Sequence, residues 1–182
     1  MIQAKPNWSG PIDKHGDLES FLWDQCNSFE WPWNDPDASA KLRAELDPER
    51  IELLAVMFAD AEICNGGFTQ YFLNSSGELA EEALHGFRRF GMSEFAELFD
   101  AAYNALGQRP MPADRDVREK LLFSKFGVPR DLEELFQLAE PTMGPFDEKY
   151  FKLAAWDDAR DGFLQAICRY IDLNRSVFFS MS

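Results

Sequence analysis

Histidine and cysteine are scarce in this 182-residue chain, and neither forms a cluster. The two histidines, His15 and His85, do not stand beside a plausible nucleophile in the sequence. The three cysteines, Cys26, Cys64 and Cys168, are odd in number and widely spaced, which favours reduced core thiols over a disulfide framework or a zinc site.

Signatures of catalysis and cofactor binding are also missing. There is no phosphate-binding loop, no Gly-x-Gly-x-x-Gly after a strand and no Gly-x-Ser-x-Gly. Glu82 and His85 have the Glu-x-x-His spacing of metal ligands on one helical face, but a di-iron bundle needs that motif twice and it occurs once. We therefore expect no catalytic residues, no metal and no cofactor, and we interpret His85 as part of a solvated helix face.

Long apolar runs are absent. The first eight residues contain no apolar core of a signal peptide, and the longest apolar run, residues 53–59, is much shorter than the roughly 20 residues that cross a bilayer. We expect a protein with no membrane association that stays in the cytoplasm.

Basic residues are too few to balance the acids. The chain has 32 Asp and Glu against 18 Lys and Arg, a net charge of −14, so nucleic acid and anionic lipid would repel it. No acidic run exceeds two residues, which places the carboxylates on folded elements and not in a disordered tail. Among binding partners, this charge favours a basic protein over nucleic acid or a membrane.

Apolar residues, in contrast, are plentiful, at 46% of the chain with 17 Phe and 5 Trp. Their spacing predicts an all-α fold: a compact, single-domain, multi-helix bundle around a buried central helix over residues 48–65. Asp47 and Pro48 mark the start of that helix and Gly66 its end. Further helices are predicted over residues 17–28, 79–90 and 115–126, around Tyr150 and in the last part of the chain. Two more are predicted to begin after Ser93 and Asp131, which act as N-caps, and a break is expected at residues 141–145.

The N-terminal part divides from the rest. Residues 1–40 are predicted to be an extension with one helix and a Trp-Pro-Trp connector, and residues 41–182 the main all-α domain. Trp31 and Trp33 in the connector are interpreted as a lid on the core, with an oligomer or partner contact as the alternative.

The stretch between the central helix and the next contains many residues that can adopt unusual backbone conformations or bind free backbone groups. Gly66 and Gly67 can adopt positive φ, and aromatic residues after them are spaced to pack inward. Glu62 is predicted to accept the free backbone N–H groups at the start of a 68–74 helix, with Gln70 and Asn74 extending the network. The motif residues are Glu62, Asn65, Gly66, Gly67, Phe68, Gln70, Tyr71, Phe72, Asn74, Ser75, Ser76 and Gly77.

This motif resembles that of a bacterial domain-of-unknown-function family that is also called the DNA-mimic-protein family. The resemblance covers roughly residues 45–175. It implies an all-α fold, frequent dimerisation and, for some members, imitation of the charge of DNA. We expect the motif itself to be structural, and a homodimer is one expectation that the resemblance adds.

Three functions follow as hypotheses. The first is a DNA mimic that binds its partner through acidic rows, for which the candidates are Glu78, Glu81 and Glu82 on one helical face and Asp157, Asp158 and Asp161 if that segment is helical. The second is an immunity-type inhibitor of a basic nuclease or toxin. The third is an enzyme with a pocket near Glu62, Asn65 and Gln70, which would need solvent access to Glu62.

Overall fold

The computed structural model describes residues 22, 23, 26, 30–155 and 157–174, and within them the chain is all-α. Seven α-helices follow one another: α1 Pro36–Glu45, α2 Pro48–Leu73, α3 Ala80–Arg89, α4 Ser93–Leu106, α5 Arg115–Phe126, α6 Leu132–Ala154 and α7 Phe163–Leu173. A 3-10 turn, Ser75–Leu79, joins α2 to α3. The predicted fold class is confirmed.

Helix α2 is the centre of the fold. Pro48 occupies its first turn, and nearly every side chain from Ile51 to Ala59 is buried, because α2 packs against α3, α5, α6 and the 3-10 turn. The predicted central helix over 48–65 is therefore present, and its end at Gly66 is a kink after which the chain continues as a helix to Leu73. Asp47 precedes the helix as predicted, but its side chain makes no capping hydrogen bond.

Helices α3 and α4 form a hairpin. The tight turn between them places Gly91 at φ 72°, and Gly107 ends α4 at φ 80°, both in the left-handed region that glycine tolerates. Ser93 was expected to cap α4 but is its first helical residue, since Met92 occupies the cap position.

Helix α6 differs from the prediction in its continuity. Asp114 and Asp131 cap α5 and α6 by accepting hydrogen bonds from the N–H groups of Val117 and Glu134, and the cap at Asp131 is the predicted one. The break predicted at residues 141–145 is wrong, because α6 runs unbroken through Pro141 and Pro145. Both prolines lie on the exposed side, and one buried stripe on the opposite side compensates for their missing N–H groups: Leu135, Ala139, Met143 and Tyr150. The helical segment predicted around Tyr150 is the end of α6.

The N-terminal segment packs on the same core. Trp31 is buried, and Trp33 contacts Phe58 of α2 edge-to-face with ring centroids 5.4 Å apart. Helix α1 crosses the expected boundary between residues 1–40 and 41–182, and that division stays a prediction. Of the helix predicted over 17–28, Leu22, Trp23 and Cys26 are helical and the other residues lie outside the described ones, as does His15.

None of the helices in the described ranges combines the length and apolar character that a bilayer span requires.

Candidate functional site

The centre of the motif is the kink of α2. Gly66 (φ −157°, ψ 24°) and Gly67 (φ 76°, ψ −179°) leave the helical conformation and separate residues 48–65 from a second helical segment, 68–73. The φ of Gly67 lies in the region that favours glycine. The space beside it is also occupied, since a Cβ added there would lie 2.5 Å from Oδ2 of Asp147 in α6.

Asp147 binds the start of the second helical segment. The backbone N–H of Phe68 donates to its Oδ1 at 2.7 Å. This N–H has no intrahelical partner, and the helix dipole favours negative charge at this position. Burial raises the pKa of Asp147 to about 6, the hydrogen bond from Phe68 lowers it and the charge of Glu140 raises it.

The role predicted for Glu62 is therefore wrong in one respect. Its Oε2 does not accept a backbone N–H at the start of the second segment, because Asp147 occupies that position. Instead it accepts hydrogen bonds from Gln70 Nε2 and Asn74 Nδ2, both at 2.8 Å. The network with Gln70 and Asn74 is confirmed. It links the first segment of the kinked helix, which contains Glu62, to the end of the second.

Asp60 of α2 and Tyr150 of α6 form a second contact between these two helices. Tyr150 donates its hydroxyl to Asp60 Oδ1 at 3.1 Å, and the Cys64 thiol lies 3.6 Å from the same oxygen. Burial raises the pKa of Asp60 to about 6, against the lowering effect of both hydrogen bonds. Burial and the negative Asp60 raise the pKa of Cys64 to about 12, so this exposed thiol is protonated and a poor nucleophile at neutral pH.

The aromatic residues of the motif belong to the core. Phe68, Tyr71 and Phe72 are fully buried and make ring contacts with one another and with Phe99 of α4 at centroid distances of 5.2–6.1 Å. Asn65, in contrast, is exposed.

The end of the motif forms the 3-10 turn. Asn74 stops α2, and its side chain donates to Glu62 and makes no capping hydrogen bond to the turn. Ser76 and Gly77 are buried, and Gly77 approaches the carbonyl of Tyr71 so closely that a Cβ would lie 2.7 Å from its oxygen. Ser75 is half-buried at 3.4 Å from the side-chain amide of Asn34. Most of the motif therefore packs or forms hydrogen bonds within the described part of the chain.

The first predicted acidic row does not form an exposed row. Glu78 is buried, and its Oε1 accepts hydrogen bonds from Trp31 Nε1 and, at 2.9 Å, from Ser39 Oγ. Sequence spacing could not show this, because both donors are about 40 residues away.

The other two acids of that row lie at the surface but are paired. Glu82 binds Arg43 at 2.5 Å, and Glu81 binds Arg109 at 3.0 Å. Arg43 also stacks over the Trp31 ring, 5.1 Å from its centroid. Glu78 and Glu82 therefore contact the N-terminal segment 31–43, Glu81 contacts Arg109, and the three acids do not share one exposed face.

The second predicted row is not helical either. Asp157 and Arg160 form an isolated bridge, and Asp157 also pairs with the Arg160 side chain at 3.3 Å. Asp161 pairs with Arg169, while Asp158 is exposed. The three carboxylates follow a turn before α7 and lack the regular spacing that a helix would give them.

Sequence reasoning missed an acidic row on α4. Glu94, Glu97 and Asp100 follow one another at three-residue intervals on its outer side, and we name these residues the α4 acidic row. Within the described part of the chain, Glu94 and Glu97 have no ion-pair partner, whereas Asp100 binds Arg109 at 2.6 Å and Arg88 at 3.3 Å. The i, i+3 spacing of the acids was the signal that would have found it.

Metal ligands do not cluster in the ranges that the structure describes: no group of three or more His, Cys, Asp or Glu side chains is arranged to hold an ion. His85 is exposed on the outer side of α3.

The comparisons with known proteins give one finding. A family model described as DMP19-like protein matches residues 44–174, which include the kinked helix, the 3-10 turn and α3 to α7. No curated protein and no solved structure matches the chain.

Proposed function

Because the chain belongs to the DMP19-like protein family, we propose that it is an acidic protein-binding module and acts as a DNA mimic, occupying the DNA site of a nucleic-acid-binding protein. The partner is a basic or DNA-binding protein. Nucleic acid and membranes are not bound directly, since the net charge of −14 repels both. A cytoplasmic location and a homodimer complete the proposal.

The observation that carries the proposal is the α4 acidic row. Residues three apart on a helix have Cβ atoms about 5–6 Å apart, so the three residues place a closely spaced series of negative charges along one side of α4, as a DNA strand does with its phosphates. Glu94 and Glu97 are exposed and bound to no internal cation in the described ranges, so their charges remain for a partner.

Internal pairing of arginines supports the same interpretation. Arg43 binds Glu82, and Arg89 binds Glu49 at 3.0 Å and also the buried Glu52. These guanidinium groups pair with acids of their own chain. They are therefore not available to neutralise the unpaired carboxylates elsewhere on the surface. Such an excess steers a basic surface towards the protein, with an effect that salt screens.

The acids named from the sequence become secondary candidates. Glu81 contacts Arg109, which also binds Asp100 of the α4 acidic row, so it lies beside that row. Glu82 and the group of Asp157, Asp158 and Asp161 are further candidates at the surface. Glu78 is withdrawn from the partner-binding set because it is buried.

The test begins with a pull-down from cytosolic extract at low salt, eluted with a salt gradient and read by mass spectrometry. We expect a DNA-binding protein to be recovered, and we expect the purified chain to displace DNA from it. The double variant Glu94→Gln and Glu97→Gln should weaken this displacement. Its control is Glu140→Gln with Glu148→Gln, which removes two exposed charges from another helix.

The outcomes separate the alternatives. A recovered protein that keeps its DNA in the presence of the chain contradicts mimicry. Recovery of one basic toxin or nuclease, inhibited by the chain, would establish the immunity-type function instead. An enzyme using Glu62 has less support, because two side-chain amides already bind one of its carboxylate oxygens.

A further inference from the structure

Four buried side-chain atoms lie around the end of the kinked helix and form no hydrogen bond with the described part of the protein. They are Tyr71 Oη in α2, Ser76 Oγ and Glu78 Oε2 in the 3-10 turn, and Arg118 Nε in α5. Each belongs to a residue that is at most 5% exposed. Two of these residues, Tyr71 and Ser76, are members of the motif, and packing alone does not explain why they carry hydroxyl groups.

Backbone contacts bring the four residues to one place. Arg118 Nη2 donates to the carbonyl of Asn74 at 3.0 Å, and the N–H of Gly77 donates to the same carbonyl at 3.0 Å. Arg118 is thus held against the beginning of the 3-10 turn that carries Ser76 and Glu78. Gly77, between them, lies against the carbonyl of Tyr71.

Electrostatics agree with this proximity. Burial lowers the pKa of Arg118, while the nearby charge of Glu78 and the hydroxyl of Tyr71 raise it. Both terminal nitrogens of Arg118 have acceptors, because Nη1 donates to the carbonyls of Pro112 and Ala113 at 2.6 and 2.7 Å and Nη2 donates to that of Asn74. Nε–H therefore remains as the donor that needs an acceptor.

Buried polar groups in native proteins are almost always hydrogen-bonded, and where no protein group reaches them an internal water does so. We propose that Tyr71, Ser76, Glu78 and Arg118 form a buried site that binds internal water. The donor Nε–H and the acceptor Oε2 match the accepting and donating sides of a water molecule, and the two hydroxyl groups can take either role.

The charges of the site select a neutral ligand. An anion would meet the carboxylate of Glu78, and a metal cation would meet the guanidinium of Arg118. Water satisfies both groups without adding charge. The site connects the end of α2, the 3-10 turn and α5, and it gives the motif residues Tyr71 and Ser76 a role as water ligands. This role is independent of the function proposed above.

A crystal structure at a resolution that shows ordered solvent tests the site directly. We expect a water peak within hydrogen-bonding distance of at least two of the four atoms. A dry site, or side chains that hydrogen-bond directly to one another, would overturn the proposal.

Measurements of folding stability test the site a second time, because the two possibilities predict changes in opposite directions. If the Tyr71 hydroxyl binds water, Tyr71→Phe lowers the folding equilibrium constant about fivefold; if it binds nothing, the variant is as stable as the original or more stable. Tyr103→Phe sets the scale, because the Tyr103 hydroxyl accepts the backbone N–H of Met111 at 2.6 Å. A Tyr71→Phe variant that is at least as stable as the original protein would contradict the site.

Discussion

The carboxylate of Asp147 accepts a hydrogen bond from the backbone N–H of Phe68, although 79 residues separate them in the sequence. The bond fixes α6 to the kink of α2 and satisfies the first N–H group of the helical segment that carries most of the aromatic motif. Asp147 therefore acts as a helix cap supplied by a different helix.

Near pH 4, where burial of the charged form does not yet oppose folding, replacement of Asp147 by Ala should cost about 1–2 kcal/mol of unfolding free energy, the range of a helix N-cap. Urea unfolding measures this cost. Glu148→Ala is the matched control, since the neighbouring carboxylate is exposed and has no ion-pair partner in the described chain, and we expect it to change stability by less than about 0.5 kcal/mol. Equal effects of the two substitutions would show that the cap contributes nothing.

Gly67 and Gly91 allow a comparison at nearly the same φ, although the ψ of −179° at Gly67 lies in a region that is essentially restricted to glycine. Their φ values are 76° and 72°, but a Cβ at Gly67 would meet the Asp147 carboxylate, whereas nothing lies within 4 Å of a Cβ at Gly91. Gly91→Ala should cost about 1–2 kcal/mol, the penalty of left-handed backbone for a residue with a Cβ. Gly67→Ala should cost clearly more, because it adds a steric clash and displaces the cap.

Denaturant unfolding of both variants measures the difference. A cost for Gly67→Ala no larger than that for Gly91→Ala would mean that Asp147 moves aside freely, and would contradict its role as a fixed cap.

These contacts also show how far the sequence predicts the structure. Apolar spacing predicted the central helix over residues 48–65, because burial in a bundle has a helical period, whereas the end expected at Gly66 is a kink in a longer helix. It missed the continuity of α6 through Pro141 and Pro145, since the compensation comes from tertiary burial of Leu135 and Met143. The roles of Asp147 and Glu78 were hidden because their partners lie far away in the sequence.

Stability should depend on the protonation of Asp60 in an unusual direction. Its folded-state pKa is about 6 against an ordinary value of 3.8, so between these pH values the folded protein binds more protons than the unfolded chain. The contribution of Asp60 to stability therefore falls as the pH rises from about 4 to about 6 and stays low above that.

Asp60→Asn removes this titration and retains an oxygen that accepts the Tyr150 hydroxyl. We expect the variant to match the original protein near pH 4 and to exceed its stability at pH 7, because burial no longer opposes a charge. Unfolding free energies from pH 4 to 7 measure the effect, and only the difference between the two proteins is informative, since other carboxylates titrate too. A variant less stable than the original protein at pH 7 would contradict the raised pKa.

Glu78 should be far more important for folding than its acidic neighbours in the sequence. It is buried, with its side chain fully shielded, and it binds Trp31, Ser39 and, at 3.8 Å, the Arg43 guanidinium. Glu78→Ala removes the carboxylate that accepts the Trp31 and Ser39 hydrogen bonds, while Arg43 keeps Glu82, and we expect a loss of about 2–3 kcal/mol because a buried donor left without an acceptor costs about 1–3 kcal/mol. Glu97→Ala, on the exposed side of α4, should stay within about 0.5 kcal/mol of the original protein.

Urea unfolding compares Glu78→Ala with Glu97→Ala, and intrinsic fluorescence reports on the tryptophans near the lost contact. The pair of variants also separates folding from binding. Because Glu97 belongs to the α4 acidic row, its loss should weaken partner binding in a folded protein, whereas the loss of Glu78 should act through the detachment of residues 31–43 from the 3-10 turn. If Glu78→Ala unfolds at the same urea concentration as the original protein, the N-terminal segment is not held by this carboxylate.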